Sequence, residues 1–292
     1  MEPFPTTIEF RRERDFGQVL SATFFFFRQN VKPLSKHLLL IIGPLLIIWA
    51  IYNVYNLRAL GEDYPTGLFE TMMLLTSNFS LMSFLPMLIG LVYIALIYGY
   101  MTLYMDRGFA QFGTGDILRL VLRHFLRLAV ASALMFMMLT VGVFFFLVPF
   151  VYLLVVLSNY YIIMLREDAG IFDAIVRCFQ LIAGKWWPTF GLLLILWIIY
   201  FAFSFAVSLP VLALTFLVNY NSASDVTPTN MSMVWIILNP LLSYISYLLT
   251  SIPVMAVAFH YFSLVEQKEK TGLLERIAAI DPGASEAQRA EG

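Results

Sequence analysis

The chain has 292 residues, of which 60% are hydrophobic and 13% are charged. Soluble domains carry about a quarter charged residues, so this composition excludes a soluble globular protein and predicts an all-α protein with several membrane spans. The net charge of −1 gives no reason to expect a nucleic-acid partner, and the single cysteine, Cys178, excludes an intrachain disulfide.

Residues 1–36 are predicted to form a cytosolic N-terminal segment. Their opening, MEPFPTTIEF, is not typical of a secretory signal peptide. Asp15 and Gln18 have the spacing of a capping box. Apolar residues then recur with the period of a helix, at Phe16, Val19, Leu20, Phe24, Phe27 and Val31. We therefore expect a helix at the membrane surface, with Arg28 and Lys32 close enough to bind lipid phosphates.

The next part of the chain, 37–265, is predicted to be a transmembrane domain, followed by a charged cytosolic tail at 266–292. A helix needs roughly 20 apolar residues to cross the hydrocarbon. The uncharged run from Leu128 to Leu165 is too long for one crossing, so we expect a hairpin at the helix breakers Gly142 and Pro149. The predicted spans are about 38–57, 81–105, 128–147, 150–165, 189–209 and 241–265.

The amphipathic pattern recurs between the second and third spans, in residues 116–127. One face is apolar, at Ile117, Leu120, Val121, Phe125 and Leu128. Arg119, Arg123 and Arg127 follow each other at i, i+4 and i+8 and form a basic stripe. We expect a second surface helix, whose arginines bind anionic lipid.

A third amphipathic segment lies between the fourth and fifth spans, in residues 170–183. Its inward-facing residues are predicted to be Ile171, Ile175, Cys178, Phe179 and Ile182. Asp173 and Arg177 have the i, i+4 spacing of a helical ion pair. Each of the three surface segments precedes a transmembrane hairpin, so we expect three units related by a pseudo-repeat.

The distribution of basic residues predicts the orientation. All 18 Lys and Arg residues except Arg58 fall in segments that six spans place on one side of the membrane. Because basic segments stay in the cytosol, both termini are predicted to be cytosolic.

The region 166–191, REDAGIFDAIVRCFQLIAGKWWPTFG, contains an acidic pair, a short helix with an alanine, a Gly-Lys turn and a tryptophan that opens the fifth span. These residues are Glu167, Asp168, Ala174, Gly184, Lys185 and Trp186. With the ending YFSLVEQKEK, they resemble an uncharacterised group of bacterial six-helix inner-membrane proteins, which includes the membrane domain found beside glycerophosphodiester phosphodiesterases. The resemblance implies a bacterial inner-membrane protein with six helices and implies no particular activity.

The polar residues near the span ends have structural interpretations. The histidines are not spaced as metal ligands, so no metal site is expected at His37, His124 or His260. Glu167 and Asp168 are expected to cap the helix that follows them, where the helix dipole favours acidic residues. We expect Trp186 and Trp187 to act as interfacial anchors.

The spans themselves contain no Asp, Glu, Lys or Arg, which argues against proton-coupled pumps, ion channels and voltage sensors. The polar residues within them are expected to bond between helices, or else to line a narrow substrate path: Asn159, Asn239, Ser243, Ser246, Thr250 and Ser251. No glycine-rich phosphate loop, nucleophile elbow or metal-binding helix motif occurs. We therefore expect no enzymatic activity, no catalytic residues and no cofactor.

The leading interpretation is a non-enzymatic inner-membrane protein that organises lipid or partner subunits at the cytosolic leaflet. The candidate contacts with anionic lipid are Arg28, Lys32, Arg119, Arg123, Arg127 and Lys185. The alternative is a carrier or flippase subunit for a lipid-like or hydrophobic small molecule, with a cavity lined by Tyr, Ser and Asn. A weaker alternative is a lipid-processing enzyme, in which Glu167, Asp168 and His260 converge.

Overall fold

The computed structural model describes residues 9–59, 84–108, 111–144, 147–221 and 228–270, and all regular secondary structure in these ranges is helical. The helices are α1 (Phe16–Ala59), α2 (Leu85–Arg107), α3 (Thr114–Phe144), α4 (Leu147–Val156), α5 (Tyr160–Arg166), α6 (Ile171–Ile182), α7 (Trp186–Asn221) and α8 (Pro228–Glu269). A 3₁₀ turn, Leu157–Asn159, joins α4 to α5. The predicted tail lies outside the described residues from residue 271 onward.

Within the described ranges, six helical segments are long and apolar enough to cross a membrane. They are Phe16–Tyr55, Leu85–Arg107, Thr114–Val143, Val148–Arg166, Trp186–Pro210 and Pro240–Glu269. Each overlaps one predicted span, and the fourth is built from α4, the 3₁₀ turn and α5. The prediction of an all-helical chain with six long apolar helices is confirmed, and these helices indicate a membrane protein.

Helix α1 is 44 residues long and includes both the predicted surface helix and the predicted first span. Pro33 and Pro44 lie inside it, although proline removes a backbone donor and often ends a helix. Packing against α8 stabilises the continuous form, and Tyr244 OH donates a hydrogen bond of 2.9 Å to Ser35 O. At about 1.5 Å per residue, α1 is about 66 Å long and extends well beyond hydrocarbon that is about 30 Å thick.

The start of α1 has the predicted capping box. Gln18 N donates to Asp15 Oδ1 (2.8 Å), and Asp15 N donates to Gln18 Oε1 (3.2 Å). The buried face of the first turns differs from the predicted stripe. Thr23, Phe26 and Asn30 are fully buried, whereas Phe24 is 44% exposed. The periodicity predicted a helix, but packing decides which face is buried.

Helices α3 and α6 differ in whether the predicted surface helix is continuous with a span. Helix α3 joins the predicted surface segment 116–127 to the third span in one helix of 31 residues. Helix α6, by contrast, is a separate helix of 12 residues. It ends before Gly184, whose φ of 76° is unfavourable for residues with a Cβ. Because only one of the three predicted surface helices is separate, the pseudo-repeat stays a prediction.

Helix α3 ends at Phe144 and α4 begins at Leu147, close to the predicted position of the hairpin. Gly142 lies inside α3 and does not break it. A Cβ at this position would lie 3.1 Å from Phe150 Cα, so the glycine allows the two helices to approach closely. Pro149 lies in the first turn of α4, where a missing N–H costs little.

Helix α2 is the central helix and α7 is peripheral. In its most apolar stretch, 72% of the α2 residues are buried inside the protein, against 11% in α7. Large apolar side chains of α7 are exposed on its outer side, including Trp197, Phe201 and Phe205. This outer surface is typical of a helix that faces lipid.

One end of the bundle contains the C-terminal ends of α2, α5 and α8 and the N-terminal ends of α1, α3 and α7. There Arg14 N donates to Ser263 Oγ (2.9 Å), and Arg166 Nη1 donates to Asp106 Oδ1 (2.6 Å). We call this end, where Arg14 meets Ser263 and Arg166 meets Asp106, the basic end. The start of α1 and the end of α8 therefore lie at the same end of the bundle.

Candidate functional site

The turn between α5 and α6 presents three consecutive charged residues at the basic end. Asp168 has a φ of 51°, a left-handed conformation that aspartate tolerates better than most residues. This turn directs Arg166, Glu167 and Asp168 to different helices. Arg166 Nη1 donates to Asp106 Oδ1 at the end of α2, at 2.6 Å.

Asp168 connects the turn to α3. Arg127 Nη2 donates to Asp168 Oδ1 (2.5 Å) and to Met164 O (3.1 Å), and Arg127 Nη1 donates to Asp168 O (3.1 Å). Hydrogen bonding to Arg127 and its positive charge lower the pKa of the Asp168 carboxyl. The predicted cap is wrong for this residue, because Gly170 precedes α6 and the Asp168 carboxylate binds α3.

His124 contributes to the same cluster. Its Nδ1 lies 2.9 Å from Leu120 O, and its Nε2 lies 3.3 Å from Asp168 Oδ1. Both partners are acceptors, so both hydrogen bonds form only when both ring nitrogens carry protons. The sequence spacing does not reveal this contact with a carboxylate, because 44 residues separate the two side chains.

Glu167 connects the turn to α6 and α8. Arg177 Nε lies 3.2 and 3.1 Å from its two carboxylate oxygens, and Tyr261 OH donates to Glu167 Oε1 at 2.7 Å. Arg177 also binds Glu269 through Nη2. The predicted Asp173–Arg177 pair is wrong, because the guanidinium points to Glu167 and Glu269, and Asp173 has no salt bridge with the part of the chain that the structure describes.

Replacing Arg127 with glutamine is expected to lower the free energy of unfolding by about 1–2 kcal/mol, because a charge-assisted bond and two bonds to backbone carbonyls are lost. The matched control is Arg123→Gln, one turn earlier on α3. Arg123 is exposed, so its replacement should change stability by less than about 0.5 kcal/mol. Thermal unfolding in detergent measures both effects, and equal losses would contradict this assignment.

The effect of Asp168→Asn on stability is expected to depend on pH. The lowered pKa means that the carboxylate stabilises the fold above its ordinary pKa of about 3.9, and that this stabilisation is lost as the pH falls through the lowered value. Asparagine also tolerates the left-handed backbone. The melting temperatures of the two proteins should differ at about pH 7 and converge in acid. If the difference in melting temperature stayed constant with pH, the charge of Asp168 would make no contribution to stability.

Five of the six predicted lipid contacts are exposed, namely Arg28, Lys32, Arg119, Arg123 and Lys185. None of these five forms a salt bridge with another described residue. The sixth, Arg127, is only 27% exposed and binds Asp168.

The start of α3 has both a buried and an exposed apolar side. Ile117 and Val121 are buried against the bundle. On the outer side, the exposed residues Leu118, Leu122 and Leu126 follow each other at i, i+4 and i+8 beside the arginines. We call these three residues the leucine stripe. A stripe of this size is unfavourable in water and favourable against lipid.

Helix α6 has three faces. Ala174, Cys178 and Leu181 are buried against the bundle, and burial raises the pKa of the Cys178 thiol to about 12. Phe172 and Val176 form an exposed apolar face, at 73% and 55% exposure. The predicted inward position of Phe179 is wrong, because this residue lies on the exposed side at 37% exposure.

Trp186 and Trp187 have different environments at the start of α7. Trp186 stacks on Phe190, with ring centroids 5.3 Å apart, and on Tyr152, at 6.1 Å. Trp187 is 75% exposed. The exposure of Trp187 fits the predicted interfacial anchor, whereas Trp186 packs α7 against α4.

The three residues of the predicted enzyme site do not converge. His260 Nε2 lies 2.9 Å from Thr189 Oγ1, while Glu167 and Asp168 bind the arginines described above. His37 Nδ1 lies 2.8 Å from Thr114 Oγ1. Within the described ranges, no group of three or more His, Cys, Asp or Glu residues could hold a metal ion.

The polar residues of the spans have several roles. Thr250 Oγ1 and Ser251 Oγ donate to carbonyls of their own helix, at Ser246 O and Leu248 O. Asn159 lies in the 3₁₀ turn, is fully buried, and its amide has no hydrogen-bond partner in the described part of the chain. The side chain of Asn239 lies outside the described residues.

Tyrosines supply bonds between helices that the sequence analysis missed. Tyr93 OH donates to Tyr247 O (3.0 Å), and Tyr100 OH donates to Asn30 Oδ1 (2.7 Å). The many tyrosines of the spans were the only available signal, and composition does not identify their partners.

No protein-family model, curated protein or solved structure matches this chain. The resemblance to the six-helix inner-membrane group therefore stays a prediction.

Proposed function

We propose that this chain is a non-enzymatic protein of the bacterial inner membrane that organises anionic lipid, and partner subunits with it, at the cytosolic leaflet. The observation that carries the proposal is the outer side of α3, where Arg119 and Arg123 are exposed beside the leucine stripe. An apolar stripe flanked by cations matches the boundary between acyl chains and phosphates. Lys and Arg collect on the cytosolic side of membrane proteins, so we assign the basic end to the cytosol.

Helices α1 and α6 support the same placement. Arg28, Lys32 and Lys36 are exposed at i, i+4 and i+8 on α1. The exposed face of α6, with Phe172 and Val176, suits a helix that lies in the interface with its apolar face toward the acyl chains. These elements give the basic end both charge and apolar area for contact with a lipid leaflet.

The test is the lipid retained by the Arg119→Gln and Arg123→Gln double variant. Each basic residue near the membrane surface contributes roughly 1 kcal/mol of attraction to anionic lipid. After reconstitution in nanodiscs of phosphatidylcholine and phosphatidylglycerol, the enrichment of phosphatidylglycerol around the protein should therefore fall several-fold. Lipid extraction and mass spectrometry measure this ratio.

Arg127→Gln is the matched control, because it removes a charge from the same helix but from a side chain that binds Asp168. It should lower stability and leave the lipid ratio nearly unchanged. An unchanged ratio in the double variant would refute lipid organisation by this surface.

A carrier or flippase subunit for a lipid-like molecule is the second candidate. The buried amide of Asn159, without a partner in the described residues and beside the break in the fourth span, favours it, because such a group is costly unless it binds something. Transbilayer movement of a fluorescent phospholipid in vesicles containing the protein would favour this candidate over the first.

A further inference from the structure

A cleft of about 180 Å³ lies at the basic end, between the start of α1, the start of α7 and the end of α8. Water occupies about 30 Å³ per molecule in the liquid, so the cleft has room for a small polar group and is too small for a whole lipid. Its lining combines polar groups, at Arg14, Lys185, His260 and Gln267, with apolar side chains.

Arg14 is a half-buried cation. Its guanidinium donates to the backbone carbonyls of Phe10 (2.9 Å), Arg12 (3.4 Å) and Glu9, and lies 5.3 Å above the Phe259 ring. Burial, followed by the nearby charge of Arg12, lowers its pKa to about 10. Its hydrogen bonds to these carbonyls leave donors of the five-donor guanidinium for an anion.

Lys185 lies on the other side of the cleft, just before α7. It is exposed, and none of the hydrogen bonds or salt bridges between described residues uses its ammonium group. Its carbonyl accepts a hydrogen bond from Thr189 Oγ1 at 2.8 Å. The Thr189 hydroxyl has only one proton, so His260 Nε2, 2.9 Å away, donates to Thr189.

The cleft also contains acceptor groups. Asp15 lines it, and the Asp15 carboxylate accepts the capping bond from Gln18 N. Gln267 Oε1 is buried and has no hydrogen-bond partner among the described residues. A buried acceptor without a donor is costly, so a ligand that fits here carries a hydroxyl or another donor as well as negative charge.

The apolar part of the lining includes Val19, Leu192 and Leu264, each almost fully buried, and Phe16, which is 40% exposed. Beyond the cleft, Ile195 follows Leu192 by one turn on the same side of α7 and is 37% exposed. A ligand headgroup in the cleft therefore lies next to a surface on which acyl chains can pack.

We infer that the cleft binds one phospholipid with an anionic phosphodiester headgroup that ends in hydroxyl groups. The phosphate lies beside Arg14 and Lys185, and the acyl chains lie against Phe16 and α7. The Gln267 amide, whose Nε2 donates a long hydrogen bond of 3.5 Å to Ser263 Oγ, turns so that a headgroup hydroxyl donates to its Oε1. This inference rests on the proposed function, because it requires that the basic end contacts an anionic leaflet.

The test counts lipids on the purified full-length chain by native mass spectrometry. Phosphatidylglycerol carries both the phosphodiester and the hydroxyls, phosphatidylmethanol is an anionic phosphodiester without the hydroxyls, and phosphatidylcholine lacks the net charge. The protein should retain one phosphatidylglycerol more strongly than either of the others. Lys185→Gln should weaken this retention about fivefold, the equivalent of roughly 1 kcal/mol.

Gln267→Leu separates the hydroxyl contact from the charge. It should reduce retention of phosphatidylglycerol to the level of phosphatidylmethanol and leave retention of phosphatidylmethanol unchanged. Arg107→Gln is the matched control, because Arg107 is 50% exposed at the end of α2 and does not line the cleft. Retention of the single lipid should be unaffected by this change.

Three results would overturn the inference. The first is equal retention of the three lipids. The second is retention that neither Lys185→Gln nor Gln267→Leu changes. The third is displacement of the lipid by millimolar glycerol phosphate, because this would show that the cleft binds a soluble phosphate. The proposed function fails separately, if Arg119→Gln with Arg123→Gln leaves the enrichment of phosphatidylglycerol in nanodiscs unchanged.

Discussion

Replacing Phe26 with alanine is expected to lower the free energy of unfolding by about 3–5 kcal/mol, the usual effect of removing a fully buried aromatic ring. Phe26 is 0% exposed. Its ring centroid lies 5.0 Å from Tyr104, 5.6 Å from Phe10 and 5.7 Å from Phe259. The substitution would leave a cavity where α1, α2 and α8 meet at the basic end. Thermal or denaturant unfolding in detergent measures the loss.

Phe24→Ala is the matched control, two residues away on the same helix. Phe24 is 44% exposed and contributes little to the packing of the bundle, so its loss should cost less than about 1 kcal/mol. The predicted stripe included Phe24 and omitted Phe26, because it described the face of a helix at the membrane surface and not the packing inside the bundle. A larger loss for Phe24→Ala than for Phe26→Ala would show that this part of α1 is rotated relative to the structure.

Replacing Glu167 with alanine is expected to lower the free energy of unfolding by about 2–3 kcal/mol, because one partner of a half-buried ion pair is removed and the other remains. Glu167 is 27% exposed and Arg177 25%, so solvent reduces the effect below that of a fully buried pair. Tyr261, which is 2% exposed, also loses the acceptor of its hydroxyl. Helices α6 and α8 would lose their shared connection to the turn after α5.

Two variants show whether the charge of Glu167 is responsible. Glu167→Gln keeps an acceptor for Tyr261 and should cost less than Glu167→Ala. Asp173→Ala removes a carboxylate from the partner position that sequence spacing predicts for Arg177 and should cost less than about 0.5 kcal/mol, because Asp173 is exposed. Equal losses for Asp173→Ala and Glu167→Ala would favour the pair predicted from the sequence.

The helical framework was predictable because a membrane imposes a strict requirement on the chain. A crossing helix needs roughly 20 apolar residues without charge, so gaps between charged residues located all six long helices. The turn of the hairpin was less accurately predicted. Gly142 and Pro149 were expected to end helices, yet both lie inside helices, because a glycine also permits close packing and a proline is tolerated in a first turn.

The contacts of the basic end were much less predictable. Capping of α1 by Asp15 and Gln18 is local, and the structure confirms it. The partners of Arg177 are not local, since Glu269 lies 92 residues away. Gln267, whose buried Oε1 is central to the lipid inference, had no signal in the sequence. It is an ordinary polar residue until folding places it in a cleft.

The amino-acid sequence by itself determined that the chain is helical, that it has six segments able to cross a membrane, and that all its Lys and Arg residues except Arg58 fall in segments that six crossings place on one side. Each of these properties depends on residues close together in the chain and on the energy of placing them in lipid or water. Only the tertiary structure decided which face of each helix is buried, which acidic group binds each arginine, and that a cleft joins α1, α7 and α8. Those outcomes depend on packing and on pairing between residues far apart in the chain, which periodicity does not encode.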